Sequence, residues 1–127
     1  MALALPSNID KPAFFAWGER REGRYELVDG RVVMTPRATR GHALTRMNLV
    51  SLMSAQLDEG EWDVLMNFGV DTGPKSLRYP DIVVDRAGGS GSDLTATAPG
   101  MIVEVLSPST VEADLGDKAT GCPLHPR

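Results

Sequence analysis

A chain of 127 residues has room for one domain and little more. Its 42% apolar and 24% charged residues give one core under an ordinary polar surface, and a net charge of −4 excludes binding to nucleic acid through an overall basic surface. Any contact with a polyanion must come from a local basic patch, or from metal ions held on acidic side chains.

The single cysteine, Cys122, has no internal partner for a disulfide, which fits a reducing compartment. The apolar start, residues 1–5, stops at Pro6 without the basic flank of a signal peptide. No apolar run approaches the roughly 20 residues that span a bilayer. The expectation is a cytoplasmic protein with no membrane partner.

In chain order, residues 1–9 read as a loose arm, and Asp10 caps a short helix that carries Pro12 in its first turn and runs to Gly18. Residues 19–24 are a charged connection, read as a solvated loop. Two apolar runs, 25–28 and 31–34, flank Asp29-Gly30, a dipeptide that tolerates positive φ and therefore signals a hairpin. From His42 to Leu57, apolar residues recur at spacings of three and four (Leu44, Met47, Leu49, Val50, Leu52, Met53, Leu57), which predicts an amphipathic helix. Residues 62–72 alternate as a strand, 77–85 form the next and 101–106 another, with a Gly- and Ser-rich flexible loop at 86–100. Ser109 and Glu112 make a capping-box pattern for a helix over 111–119, and 120–127 form an irregular tail.

Two acids stand out. Asp81 opens an apolar strand just after Pro80, and Glu104 interrupts the apolar run Met101-Ile102-Val103. The midpoint between them falls between Ser92 and Asp93, at the centre of the Gly- and Ser-rich loop. If the two strands pair as an antiparallel hairpin about that loop, Asp81 faces Glu104, with Cβ atoms about 5 Å apart. Taken alone, Glu104 reads first as a strand acid facing solvent or pairing with an arginine, and Asp81 as the ordinary turn feature of a Pro-Asp strand start. Together in an apolar setting they repel, unless one keeps a proton or a cation lies between them. Mg²⁺ or Mn²⁺ suits such oxygen donors and leaves positions open for water or phosphate.

The runs Tyr25-Glu26-Leu27-Val28-Asp29-Gly30, Pro80-Asp81-Ile82-Val83-Val84 and Val103-Glu104-Val105-Leu106-Ser107-Pro108-Ser109-Thr110, with His42, Asp114 and Lys118, resemble the Uma-two family. Its members are restriction-endonuclease-like proteins of the PD-(D/E)XK nuclease superfamily. The resemblance covers residues 25–118. It implies that Asp81 and Glu104 are the metal-binding acids. The superfamily lysine falls two residues after the second acid, where this chain has Leu106. The resemblance moves that role to Lys118, which alone reads as an i,i+4 partner of Asp114. Glu26 would reach the same metal through water, or else be a plain hairpin residue. His42 would contact phosphate or assist proton transfer, or else simply begin its helix. Arg37, Arg40 and Arg46 form the local basic cluster for a phosphate backbone.

The expected fold is α/β: a restriction-endonuclease-like core with a small twisted, mainly antiparallel sheet flanked by helices, and with the last core strand missing. One domain spans 1–127, with an N-terminal helix and arm at 1–24, the core at 25–119 and the tail at 120–127. The expected function is Mg²⁺- or Mn²⁺-dependent hydrolysis of DNA phosphodiesters, with DNA as partner and an open sheet edge suited to a homodimer. Two rivals stand beside it: an inactive remnant that acts as a nucleic-acid or protein interaction module, and a hydrolase of other phosphates.

Overall fold

The computed structural model describes residues 5–106. It is a mixed α/β arrangement of two helices and two antiparallel sheets. The first helix, α1 (Lys11–Gly18), starts where the sequence predicts. The Asp10 carboxylate accepts from the Ala13 N–H at 2.9 Å, and Pro12 lies in the first turn, where its missing N–H costs nothing. Strands β1 (Tyr25–Val28) and β2 (Arg31–Met34) form the expected hairpin. Asp29 and Gly30 both take positive φ, 49° and 81°, as a two-residue turn matched to strand twist requires. Residues 6–9, expected as part of a loose arm, are stitched to this hairpin. The Ile9 N–H donates to the Gly30 carbonyl and the Val32 N–H to the Pro6 carbonyl, both at 3.0 Å.

The second helix, α2 (Arg40–Gln56), is capped by Thr39, whose hydroxyl accepts from the His42 N–H. It packs on β3 (Trp62–Met66). Its predicted apolar face is only partly covered. Leu49, Val50, Met53 and Leu57 are half-buried, whereas Leu44, Met47 and Leu52 are exposed. The seven positions span an arc wider than one neighbouring strand can cover.

The single strand expected over 62–72 divides into β3 and β4 (Val70–Gly73), and that over 77–85 into β5 (Ser76–Arg78) and β6 (Ile82–Arg86). The last described strand is β7 (Pro99–Val103), which begins two residues and ends three residues earlier than the sequence indicates. One sheet runs β2-β1-β5-β4 and the other β3-β6-β7. After β3 the chain therefore crosses between sheets twice more, at residues 67–69 and again at 79–81. Asn67 turns the first of these with φ 52°, and Pro80, which has no N–H to donate, breaks the second. The Asn67 N–H donates to the Asp81 carbonyl at 3.1 Å and ties the two crossings together.

Phe14, Leu27, Val32 and Leu77 form the core of the first sheet under α1, with Trp17, Tyr25 and Tyr79 packed against it. In the second sheet Ile82, Val83 and Val84 are buried in succession. The 86–98 segment, expected to be flexible, is tied down by hydrogen bonds. The buried Asp85 carboxylate accepts from the Thr97 and Ala98 N–H groups at 2.9 and 2.7 Å, and Gly69 bridges to Thr95. The β6–β7 register shifts at Asp85, where that side chain turns to meet the loop.

The predicted helix at 111–119, with Asp114 and Lys118, and the tail at 120–127 lie outside the described residues. No described helix is long and apolar enough to cross a membrane.

Candidate functional site

The pairing of β6 with β7 follows the register deduced from sequence arithmetic. Ile82 faces Val103, Val83 faces Ile102 and Val84 faces Met101. Continued one step past Ile82–Val103, it sets Asp81 against Glu104. Asp81 is 6% exposed, while Glu104 keeps one side open to solvent. Burial pushes the Glu104 carboxyl above its ordinary pKa, and the negative charge of Asp81 pushes it further. The charge of Glu26 adds to the effect, and a backbone hydrogen bond from the Asp81 residue opposes it.

Asp81 sits where the chain crosses between sheets, and two donors and the His42 ring approach its carboxylate. The Val105 N–H donates to Oδ2 at 2.8 Å, Arg46 Nη1 donates to Oδ1 at 3.2 Å, and His42 Nε2 lies 3.2 Å from the same oxygen. His42 and Arg46 stand one helical turn apart on α2, so both side chains leave the same face. His42 Nδ1 is buried with no hydrogen-bond partner among the described residues.

Glu26 is 7% exposed and its carboxylate is fully engaged. Arg78 Nε donates to Oε1 and the Tyr79 N–H to Oε2, each at 2.8 Å. Leu27 faces Leu77, so one further step of the same register sets Glu26 against Arg78. This acid therefore holds the Tyr79-Pro80-Asp81 crossing in place.

Glu26, Arg37, His42, Asp81 and Glu104 line one cleft of about 160 Å³. Of the predicted basic cluster, Arg37 reaches the cleft wall and Arg46 bonds to Asp81, whereas Arg40 is exposed at the start of α2 and lines neither described cavity. Lys118 lies outside the described residues. Sequence reasoning missed Arg24, Arg78 and Tyr79, which also line the cleft. Arg24 had a legible signal, because it lies two residues before Glu26 and shares its side of the strand.

The donor set fits a hard cation. Asp81 and Glu104 offer oxygens, press on one another electrostatically, and would be relieved by a positive ion between them. Among the described residues no basic side chain pairs with Glu104. No group of three or more His, Cys, Asp or Glu side chains among them is arranged to hold an ion alone.

Among curated proteins the chain is similar to the uncharacterized protein slr1290 of Synechocystis sp. (strain ATCC 27184 / PCC 6803 / Kazusa), with 30% identity over 120 residues. The match covers 87% of this chain, which spans 60% of that relative's length. No solved structure matches. A family model described as "Putative restriction endonuclease" matches residues 12–121, a span that holds both sheets and both carboxylates, and the chain belongs to that family, Uma2.

Proposed function

We propose that this chain contributes the catalytic site of a divalent-metal-dependent endonuclease that hydrolyses DNA phosphodiester bonds. The observation that carries the reading is the convergence of Asp81 and Glu104 across the β6–β7 register, with the Glu104 carboxyl raised first by burial and then by its neighbour's charge. Family membership supports the same class of chemistry.

In this reading Asp81 and Glu104 hold Mg²⁺ or Mn²⁺. The ion, when bound, makes water a stronger nucleophile and neutralises charge on the phosphate. The other residues act on geometry and charge. The Val105 N–H and Arg46 fix the Asp81 carboxylate, so that it meets the ion without reorganising. Glu26 secures the crossing that carries Asp81. Arg37 and Arg24 at the cleft wall supply positive charge for a non-bridging phosphate oxygen. His42, with Nε2 3.2 Å from Oδ1, helps to position Asp81 from α2. Lys118 keeps the role that the family pattern gives it, neutralising developing phosphate charge.

The test is cleavage of supercoiled plasmid with Mg²⁺ or Mn²⁺, with Asp81→Ala and Glu104→Ala as controls and small phosphodiesters screened in parallel. Nicking by the wild type alone supports the reading. Equal inactivity of all three proteins, without metal binding, removes it in favour of an interaction module. Cleavage of the small esters alone moves the substrate away from DNA.

A further inference from the structure

A second and larger cavity, about 720 Å³, adjoins the carboxylate cleft, and its lining has a different chemistry. Phe15, Tyr25 and Tyr79 give it aromatic walls, Leu94 forms an apolar rim, and Glu19 and Asn67 provide polar edges. Arg24 and Tyr79 line both cavities, so these two side chains stand between them.

The polar edges are not spent alike. Asn67 Oδ1 accepts from Arg24 and Arg46, which leaves the amide nitrogen as the end able to donate to a guest. Glu19 offers acceptors only. The Tyr79 hydroxyl is held in its protonated form, first by burial and then by the nearby charge of Glu26. The cavity thus pairs flat apolar walls with one donor edge and one acceptor edge, beside a cleft suited to a phosphate.

We infer that this cavity receives a nucleobase of an unpaired or extruded nucleotide whose adjoining phosphate lies at the Asp81–Glu104 cleft. The inference rests on the nuclease reading and narrows its substrate to single-stranded or locally opened DNA. A nucleotide joins a planar aromatic ring to an anion through a short sugar, and the two cavities offer a place for each part on either side of Arg24 and Tyr79. Bases in a stacked duplex expose edges but not faces. Aromatic walls therefore select a base that has left its stack. The volume lies within the range of ligand pockets and leaves room for the sugar as well.

The test uses the full chain in calcium buffer and follows fluorescence anisotropy of a short single-stranded DNA oligonucleotide. A matched oligonucleotide carries abasic sites throughout, and wild type is compared with Leu94→Glu, a change at an exposed rim residue that leaves the core untouched. The base-bearing strand is expected to bind about tenfold tighter or more than the abasic one. Leu94→Glu is expected to erase that preference, so that the two strands bind alike, with the added negative charge weakening the phosphate contribution of both equally. Equal binding of the two strands overturns the base pocket but leaves the nuclease reading standing, since both strands then bind through phosphate. A base preference that survives Leu94→Glu also overturns it, because the base then sits elsewhere. Failure to bind either strand, with no cleavage of plasmid, removes both readings.

Discussion

The backbone N–H of Val105 donates to Oδ2 of Asp81 at 2.8 Å, so the residue after Glu104 is tethered to the very acid that Glu104 faces. This bond lies beyond the last ladder pair of β6 and β7, and it keeps the end of β7 from fraying away. Asp81 therefore has two structural duties, fixing Glu104 nearby and anchoring Arg46 from α2. Replacing it with alanine leaves Arg46 and the Val105 N–H without their partner, whereas asparagine keeps an acceptor but loses the charge. Asp81→Ala is expected to lower stability by about 2–4 kcal/mol in urea unfolding, and Asp81→Asn by less. Both are expected to abolish metal-dependent plasmid nicking.

Glu104 behaves in the opposite way. Its folded-state pKa is raised, so the folded protein binds more protons than the unfolded chain between the ordinary carboxylate value and the raised one. Stability from this group is greatest in acid, falls as pH rises through that window, and stays lower above it. Glu104→Gln is therefore expected to raise the melting temperature of metal-free protein at neutral pH and to have little effect in acid. Added Mg²⁺ or Mn²⁺ should stabilise the wild type and not this variant.

Glu26 is expected to matter for position more than for the ion. Both its oxygens are taken by Arg78 and the Tyr79 N–H, and its truncation strips a buried N–H at the crossing. Glu26→Ala should cost about 1–3 kcal/mol in chemical denaturation. Glu26→Gln keeps an acceptor for one of these two N–H donors and loses the other, and should reduce ion affinity far less than Asp81→Asn. An equal loss in the two variants would make Glu26 a direct ligand instead.

Among the described glycines, Gly69 is the one where an added side chain would meet its nearest neighbour most closely. A Cβ there would lie 2.6 Å from the Leu94 carbonyl oxygen, which belongs to backbone and cannot swing aside. Gly69→Ala should destabilise by about 1–3 kcal/mol and loosen the 94–98 segment, read as faster amide exchange at Thr97 and Ala98.

The features legible in the sequence were those governed by local chemistry or simple arithmetic. Asp10 and Pro12 announced α1, Asp29-Gly30 announced the hairpin, and the symmetry of Asp81 and Glu104 about one loop gave the β6–β7 register. The division into two sheets was hidden, because alternation of apolar residues continues through Phe68 and Tyr79 while the hydrogen bonding changes partner. Pro80 was the available clue, since a residue without an N–H interrupts a ladder. The exposure of Leu44, Met47 and Leu52 was equally hidden. Periodicity tells which face of a helix is apolar, and the surrounding fold decides how much of that face is covered. In the site, the i,i+4 spacing of His42 and Arg46 was readable as a shared face, but their common partner Asp81 lies 35 residues beyond Arg46 and emerges only from the fold.

Manganese binding to the full chain, followed by calorimetry across pH, tests the account most directly. The account predicts one ion per chain whose affinity rises as pH climbs through the raised Glu104 transition, because the ion must displace that proton. It also predicts that Asp81→Asn and Glu104→Gln each abolish this binding. An ion that binds both variants as tightly as the wild type, with no dependence on pH, would contradict it.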